Sequence, residues 1–119
     1  ADLHNAKLMF ADLSTSIFKN TNLVGADLSN TNLENQNLQN LNLYGANLYK
    51  TNLKGANLKD SNLRFTNIIN TDFKNSNLIN TDFYSAKITN TDFGDVTFEN
   101  TNFYGTEILK KILKLISQN

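Results

Sequence analysis

Large apolar residues occupy every fifth position from Leu3 to Ile108 without a gap. The run begins Leu3, Leu8, Leu13, Phe18, Leu23, Leu28 and ends Phe93, Phe98, Phe103, Ile108, giving 22 centres. Two positions before each centre the residue is small, as at Ala6, Ala11, Ser16, Thr21 and Ala26, with Gln36, Leu41 and Val96 departing from the rule. One position before the centre is mostly Asn or Asp, as at Asn22, Asp27, Asn32 and Asn37. Two positions after it, Asn and Gly recur, as at Asn20, Gly25, Asn30 and Gly45.

A period of five suits neither regular element. Five residues advance about 500° around an α-helix, so the centres would spiral about its axis. In a strand they would fall on alternate faces. The chain must therefore turn within every unit. Asn, Asp and Gly tolerate turn conformations, including positive φ, and they stand at fixed offsets from the centre. The pattern predicts a short extended piece, then a corner, repeated.

Units such as Ala26-Asp27-Leu28, Ala46-Asn47-Leu48 and Ala56-Asn57-Leu58, in tandem over residues 1 to about 108, resemble the pentapeptide-repeat family. The resemblance implies an all-β fold, a right-handed quadrilateral β-helix with four units per coil. At 20 residues per coil the chain holds roughly 5.5 coils, a stacked solenoid. The centre and the small residue would point inward and the other three outward. Centres sorted at that spacing fall into like stacks. One reads Leu3, Leu23, Leu43, Leu63, Phe83, Phe103, and another Leu8, Leu28, Leu48, Ile68, Ile88, Ile108.

Residues 109–119 leave the period. Ile108, Ile112, Leu115 and Ile116 lie at helical spacing, with lysines opposite. This predicts two units: a β-helix over 1–108 and a short capping α-helix over 109–119. Leu109, Ile112, Leu113, Leu115 and Ile116 would cover the exposed edge of the last coil and offer a dimer contact. No equivalent cap precedes Leu3, so that end of the rod is expected to meet further upstream coils or a partner, a second copy included.

Hydrophobic residues make up 39% of the 119, thin for a layered core but sufficient for a stack of coils. Eleven basic and eleven acidic side chains leave no net charge, and hence no general attraction to nucleic acid. The absence of cysteine excludes disulfides. No apolar run is long enough for a transmembrane helix. The expected setting is a soluble protein of the bacterial cytoplasm.

Little in the chain points to catalysis. His4 is the lone histidine, on the first coil, without a recognisable partner set. Asp72 and Asp92 stack one coil apart, with Asp12 on the same face. They read as ladder residues whose oxygens accept backbone hydrogen bonds at a corner. No zinc cluster, phosphate loop or nucleophile motif is present. The expectation is a non-enzyme with no cofactor and no metal.

The outward position after each centre is free of the repeat's demands. One face carries Tyr44, Arg64, Tyr84 and Tyr104, the next Tyr49 and Ile69, and Phe65 stands at the corner between them. Tyrosine and arginine are common interface anchors. These seven residues form a candidate surface for another protein or a second copy. The family resemblance offers an alternative function, a DNA mimic acting on a type II topoisomerase such as gyrase. Residues 1–109 carry 8 basic and 11 acidic side chains, a net of −3, which Lys110, Lys111 and Lys114 cancel. That is a weak charge for imitating DNA.

Overall fold

A computed structural model describes residues 1–108. The expected capping helix over 109–119 lies outside the described residues.

Within the described chain each unit is an extended step followed by a turn. Asn or Asp before the centre starts the turn, its side-chain oxygen accepting the N–H of the residue after the centre. Asn52 Oδ1 and Lys54 N are 3.0 Å apart, and Asp72 Oδ1 and Lys74 N 2.9 Å. The centre's carbonyl then accepts the N–H three residues on, as from Ala56 N to Leu53 O at 3.0 Å. The second residue after the centre takes positive φ, the signature of a type II turn. It does so at every fifth position from Asn5 to Gly105 except Thr15. Gly55 shows why small or amide residues prevail there. Its φ is +68°, and a Cβ would stand 2.1 Å from Asn35 Oδ1 in the coil before.

Four such turns bring the chain back into register. Residues 20 apart pair in parallel, as Asp27 with Asn47, Asn47 with Asn67, and Asn52 with Asp72. The pairing lengthens into regular strand where β1 (Asn67–Ile69) meets β2 (Lys87–Thr89). Amide side chains repeat the pattern outside, with Asn52 Nδ2 donating to Asn32 Oδ1 and Asn62 Nδ2 to Asn42 Oδ1, both at 3.3 Å.

The centres fill the interior. Leu28, Leu48, Leu58, Leu63, Ile68, Phe73, Leu78 and Phe83 are fully buried. Phenylalanines one coil apart lie parallel: Phe73 on Phe93 and Phe83 on Phe103, each with centroids 5.1 Å apart. Neighbouring stacks meet edge to face, as Phe73 and Phe83 do at 5.8 Å. The small residues also point inward, and most of their buried hydroxyls find a backbone carbonyl, Ser76 Oγ being an exception. Thr51 Oγ1 donates to Leu28 O at 2.7 Å and Thr71 Oγ1 to Leu48 O at 2.6 Å. Leu41 is accommodated in a small-residue position and is buried. Phe98 departs from expectation. It is a centre, yet 61% exposed, because its stack of inward residues ends with it among the described coils.

Among the described residues the ladder is broken between the first two coils. Between the first and second coils, on the face centred on Phe18 and Leu38, Ile17 and Asn37 do not pair, although Asn37 pairs with Asn57 above. Three residues there violate the unit. Thr15 is β-branched at the positive-φ corner, which such residues resist, and does not adopt it. Ile17 stands where Asn or Asp would supply the turn's acceptor. Gln36 replaces the small inward residue, and its Nε2 donates to the Ser14 carbonyl.

Because each buried leucine is gripped by coils on both sides, Leu48→Ala should lower stability by about 2–5 kcal/mol in urea unfolding. Gly55→Ala, at positive φ and against Asn35, should cost at least about 1 kcal/mol.

Candidate interaction surface

The repeat fixes where the outward side chains stand. Residues after a centre sit at the start of a turn, and the 20-residue register places those of successive coils above one another. Tyr44, Arg64, Tyr84 and Tyr104 follow the centres of one stack. Phe65 lies one residue beyond Arg64, at a positive-φ corner (φ 60°), which swings its ring into the same column.

The result is a continuous aromatic stripe. Tyr44 and Phe65 have ring centroids 5.3 Å apart, Phe65 and Tyr84 5.7 Å, and Tyr84 and Tyr104 5.8 Å. The first two contacts are tilted and edge-on; the last is nearly parallel, at 11°. These are the separations at which aromatic quadrupoles attract. The Arg64 guanidinium covers the Tyr84 ring at 4.6 Å, a cation–π contact. Its Nε lies 3.7 Å from Asp82 Oδ2. That is an ion pair but not a hydrogen bond, so this shielded Nε–H has no acceptor. Tyr44, Phe65 and Tyr104 are well exposed, and the stripe faces water.

Five of the seven residues singled out in the sequence are thus brought together: Tyr44, Arg64, Phe65, Tyr84 and Tyr104. Tyr49 and Ile69 stand on the adjoining face, outside the chain of ring contacts. Lys50 Nζ lies 5.4 Å from the Tyr49 ring centroid, and Ile69 closes β1 against Thr89. Leu109, Ile112, Leu113, Leu115 and Ile116 lie outside the described residues.

Asp2, Asp12, Asp72 and Asp92 serve the turns. His4 Nδ1 is 2.8 Å from Asp2 Oδ1, two residues away. The His4 side chain is the main cause that holds the Asp2 carboxyl below its ordinary range, and the Ser14 hydroxyl does the same for Asp12. Asp72 and Asp92 accept the N–H of Lys74 and Gly94, as their ladder position requires. No group of His, Asp and Glu among the described residues is placed to hold a metal ion. No helix among them is long and apolar enough to cross a membrane.

With this geometry in hand, comparison with known proteins is direct. The family model for pentapeptide repeats matches eight copies within residues 1–35, 16–55, 26–64 and 56–95. The chain belongs to the pentapeptide-repeat family, and its fold is the family's β-helix. It is similar to the crystal structure of the pentapeptide repeat protein Rfr23 from the cyanobacterium Cyanothece 51142, at 37% identity and a TM-score of 0.65. The match covers 83% of this chain and 61% of that one, so the chain spans under two thirds of that relative's length. It is also similar to alr5209, a pentapeptide repeat protein from Nostoc PCC 7120. That match has 27% identity and a TM-score of 0.58, and covers 89% of this chain and 78% of that one. QnrB1, a plasmid-mediated fluoroquinolone resistance protein, aligns at only 12% identity and a TM-score of 0.26, over 88% of this chain and 71% of that one. A superposition that poor carries no functional argument. No curated protein matches the sequence.

Phe65 touches two rings while standing half-exposed. Phe65→Ala should therefore lower stability by about 1–2 kcal/mol in urea unfolding. Lys54→Ala, on a different face, should change it by less than about 0.5 kcal/mol.

Proposed function

We propose that this chain is a non-catalytic protein-interaction module whose partner docks on the stripe Tyr44–Phe65–Tyr84–Tyr104 and Arg64. The carrying observation is that unbroken column of rings. The repeat does not dictate it: Tyr44, Arg64, Tyr84 and Tyr104 occupy the outward position after the centre, and the exposed Phe65 ring lies outside its corner. Large aromatic rings with few rotatable bonds, beside an arginine, are the groups that anchor protein interfaces. Tyr49 and Ile69 extend the apolar surface around the corner and would form its rim.

The rest of the reading takes the coil from the family and its cap from the helical spacing of Ile108, Ile112, Leu115 and Ile116. The coil is right-handed and four-sided, and residues 109–119 form a second unit that caps it. Leu109, Ile112, Leu113, Leu115 and Ile116 then supply an apolar face through which two rods can pair. We place the module in the bacterial cytoplasm. A DNA-mimic role toward gyrase has less support. The net charge of residues 1–109 is only −3, and Lys54, Lys59 and Lys74 interrupt the outer faces.

The test compares the wild-type chain, a Phe65→Ser/Tyr84→Ser variant and a Lys54→Ser/Lys74→Ser control, each immobilised. A partner held by wild type and control should bind the stripe variant at least about tenfold more weakly, the loss of two anchor residues. Equal binding to all three would remove the stripe from the interface. A strictly monomeric chain at high concentration with no partner would refute the proposal. In a gyrase supercoiling assay, micromolar protein should have no effect; inhibition would favour the DNA-mimic reading.

A further inference from the structure

The break between the first and second coils leaves main-chain groups facing a gap. In the coils above it, a centre's N–H commonly donates to the residue 19 positions on, as Leu38 N does to Asn57 O at 2.7 Å. The residue before the centre donates to the residue 21 positions back, as Asn57 N does to Gln36 O at 2.9 Å. On the broken face these bonds are missing. Phe18 and Asn20 on the lower lip keep unpaired N–H groups, opposite the unpaired carbonyls of Asn37 and Gln39 on the upper lip. Asn37 N–H and Ser16 C=O are likewise unjoined.

Three neighbouring departures from the repeat cause this, and they reinforce one another. Thr15 fails to turn the corner. Ile17 offers no acceptor to Lys19 N–H. Gln36 fills the inward slot where Ala56 and Ser76 sit in the coils above. The gap is a groove of about 480 Å3, open to solvent. That falls within the range of about 300–1,000 Å3 typical of ligand sites. Ile17 stands beside it, 90% exposed.

We infer that this groove is a binding site for a short extended peptide segment of another polypeptide, held by main-chain hydrogen bonds. The chemistry of the two lips selects that ligand. One lip presents mainly N–H groups and the other mainly carbonyls. An extended main chain carries acceptors and donors in alternation, and so completes both lips at once. An unpaired strand edge is a template for such a segment. The groove carries no ionic side chain except Lys19, so the ligand need not be charged. The site lies on a different face from the aromatic stripe and does not rest on the interaction reading above.

The probe is an acetylated, amidated decapeptide with the sequence of residues 51–60, titrated into the 15N-labelled chain. In the free protein the amides of Phe18, Asn20 and Asn37 should exchange with solvent far faster than their counterparts Leu38, Asn40 and Asn57. The peptide should slow that exchange and shift those resonances. Thr15→Asn/Ile17→Asn/Gln36→Ala restores the repeat and should close the ladder. It should protect the same amides without peptide, melt no lower than wild type, and bind the peptide at least about tenfold more weakly. The same decapeptide N-methylated at alternate residues should lose binding to wild type by a similar factor, an arm that does not depend on the variant folding. Slow exchange at Phe18, Asn20 and Asn37 in the free chain would overturn the inference. So would absence of binding, equal binding by the repaired variant, or shifts confined to the aromatic stripe.

Discussion

Every feature of this rod depends on the main-chain hydrogen bonds between successive coils. A centre's N–H donates to the carbonyl 19 residues ahead and the N–H before a centre to the carbonyl 21 behind, as Leu48 N does to Asn67 O at 2.8 Å and Asn67 N to Ala46 O at 3.0 Å. Extended pieces this short have no bonds of their own along the chain, so a single coil cannot satisfy its backbone. Stacking is what pays the desolvation of those groups. It also sets the vertical spacing that lets Phe73 lie on Phe93 and Asn52 reach Asn32.

That dependence divides the unit's residues by task. The centre and the small residue pack the interior; the Asn or Asp before the centre and the positive-φ residue after it make the corner. The residue after the centre does neither, and there the chain varies most freely. Tyr44, Arg64, Tyr84 and Tyr104 occupy that position, and Phe65 joins them because even a bulky residue at a corner keeps its side chain outside. A partner can act on these side chains without disturbing the ladder.

The break at Thr15, Ile17 and Gln36 shows the same rule by its failure. No one of the three departures need open a gap. Leu41 is as large as Gln36 in an equivalent slot, yet Asn22 still pairs with Asn42 beside it. Leucine is apolar and is absorbed by the core, whereas glutamine carries an amide that must find a partner and turns to the Ser14 carbonyl. With the corner at Thr15 and the acceptor at Ile17 also lost, nothing draws the two coils back together.

The sequence alone determined the period and the corner chemistry. These are repetitive and local, so each unit restates them; the 20-residue register and the inward positions came with the family resemblance, and the like stacks of Leu, Ile and Phe agreed with that register. The candidate surface was legible only in outline. Position along the coils grouped seven residues, but the geometry at each turn decided that Phe65 bridges Tyr44 and Tyr84 while Tyr49 and Ile69 stand apart. Gln36 was visible as an exception without its consequence, and Phe98 read as buried because its place in the repeat says nothing of what lies above it. The tertiary structure alone decided such matters, because ring contacts, an end's exposure and a broken ladder belong to pairs of coils, and a repeating unit encodes only what every coil shares.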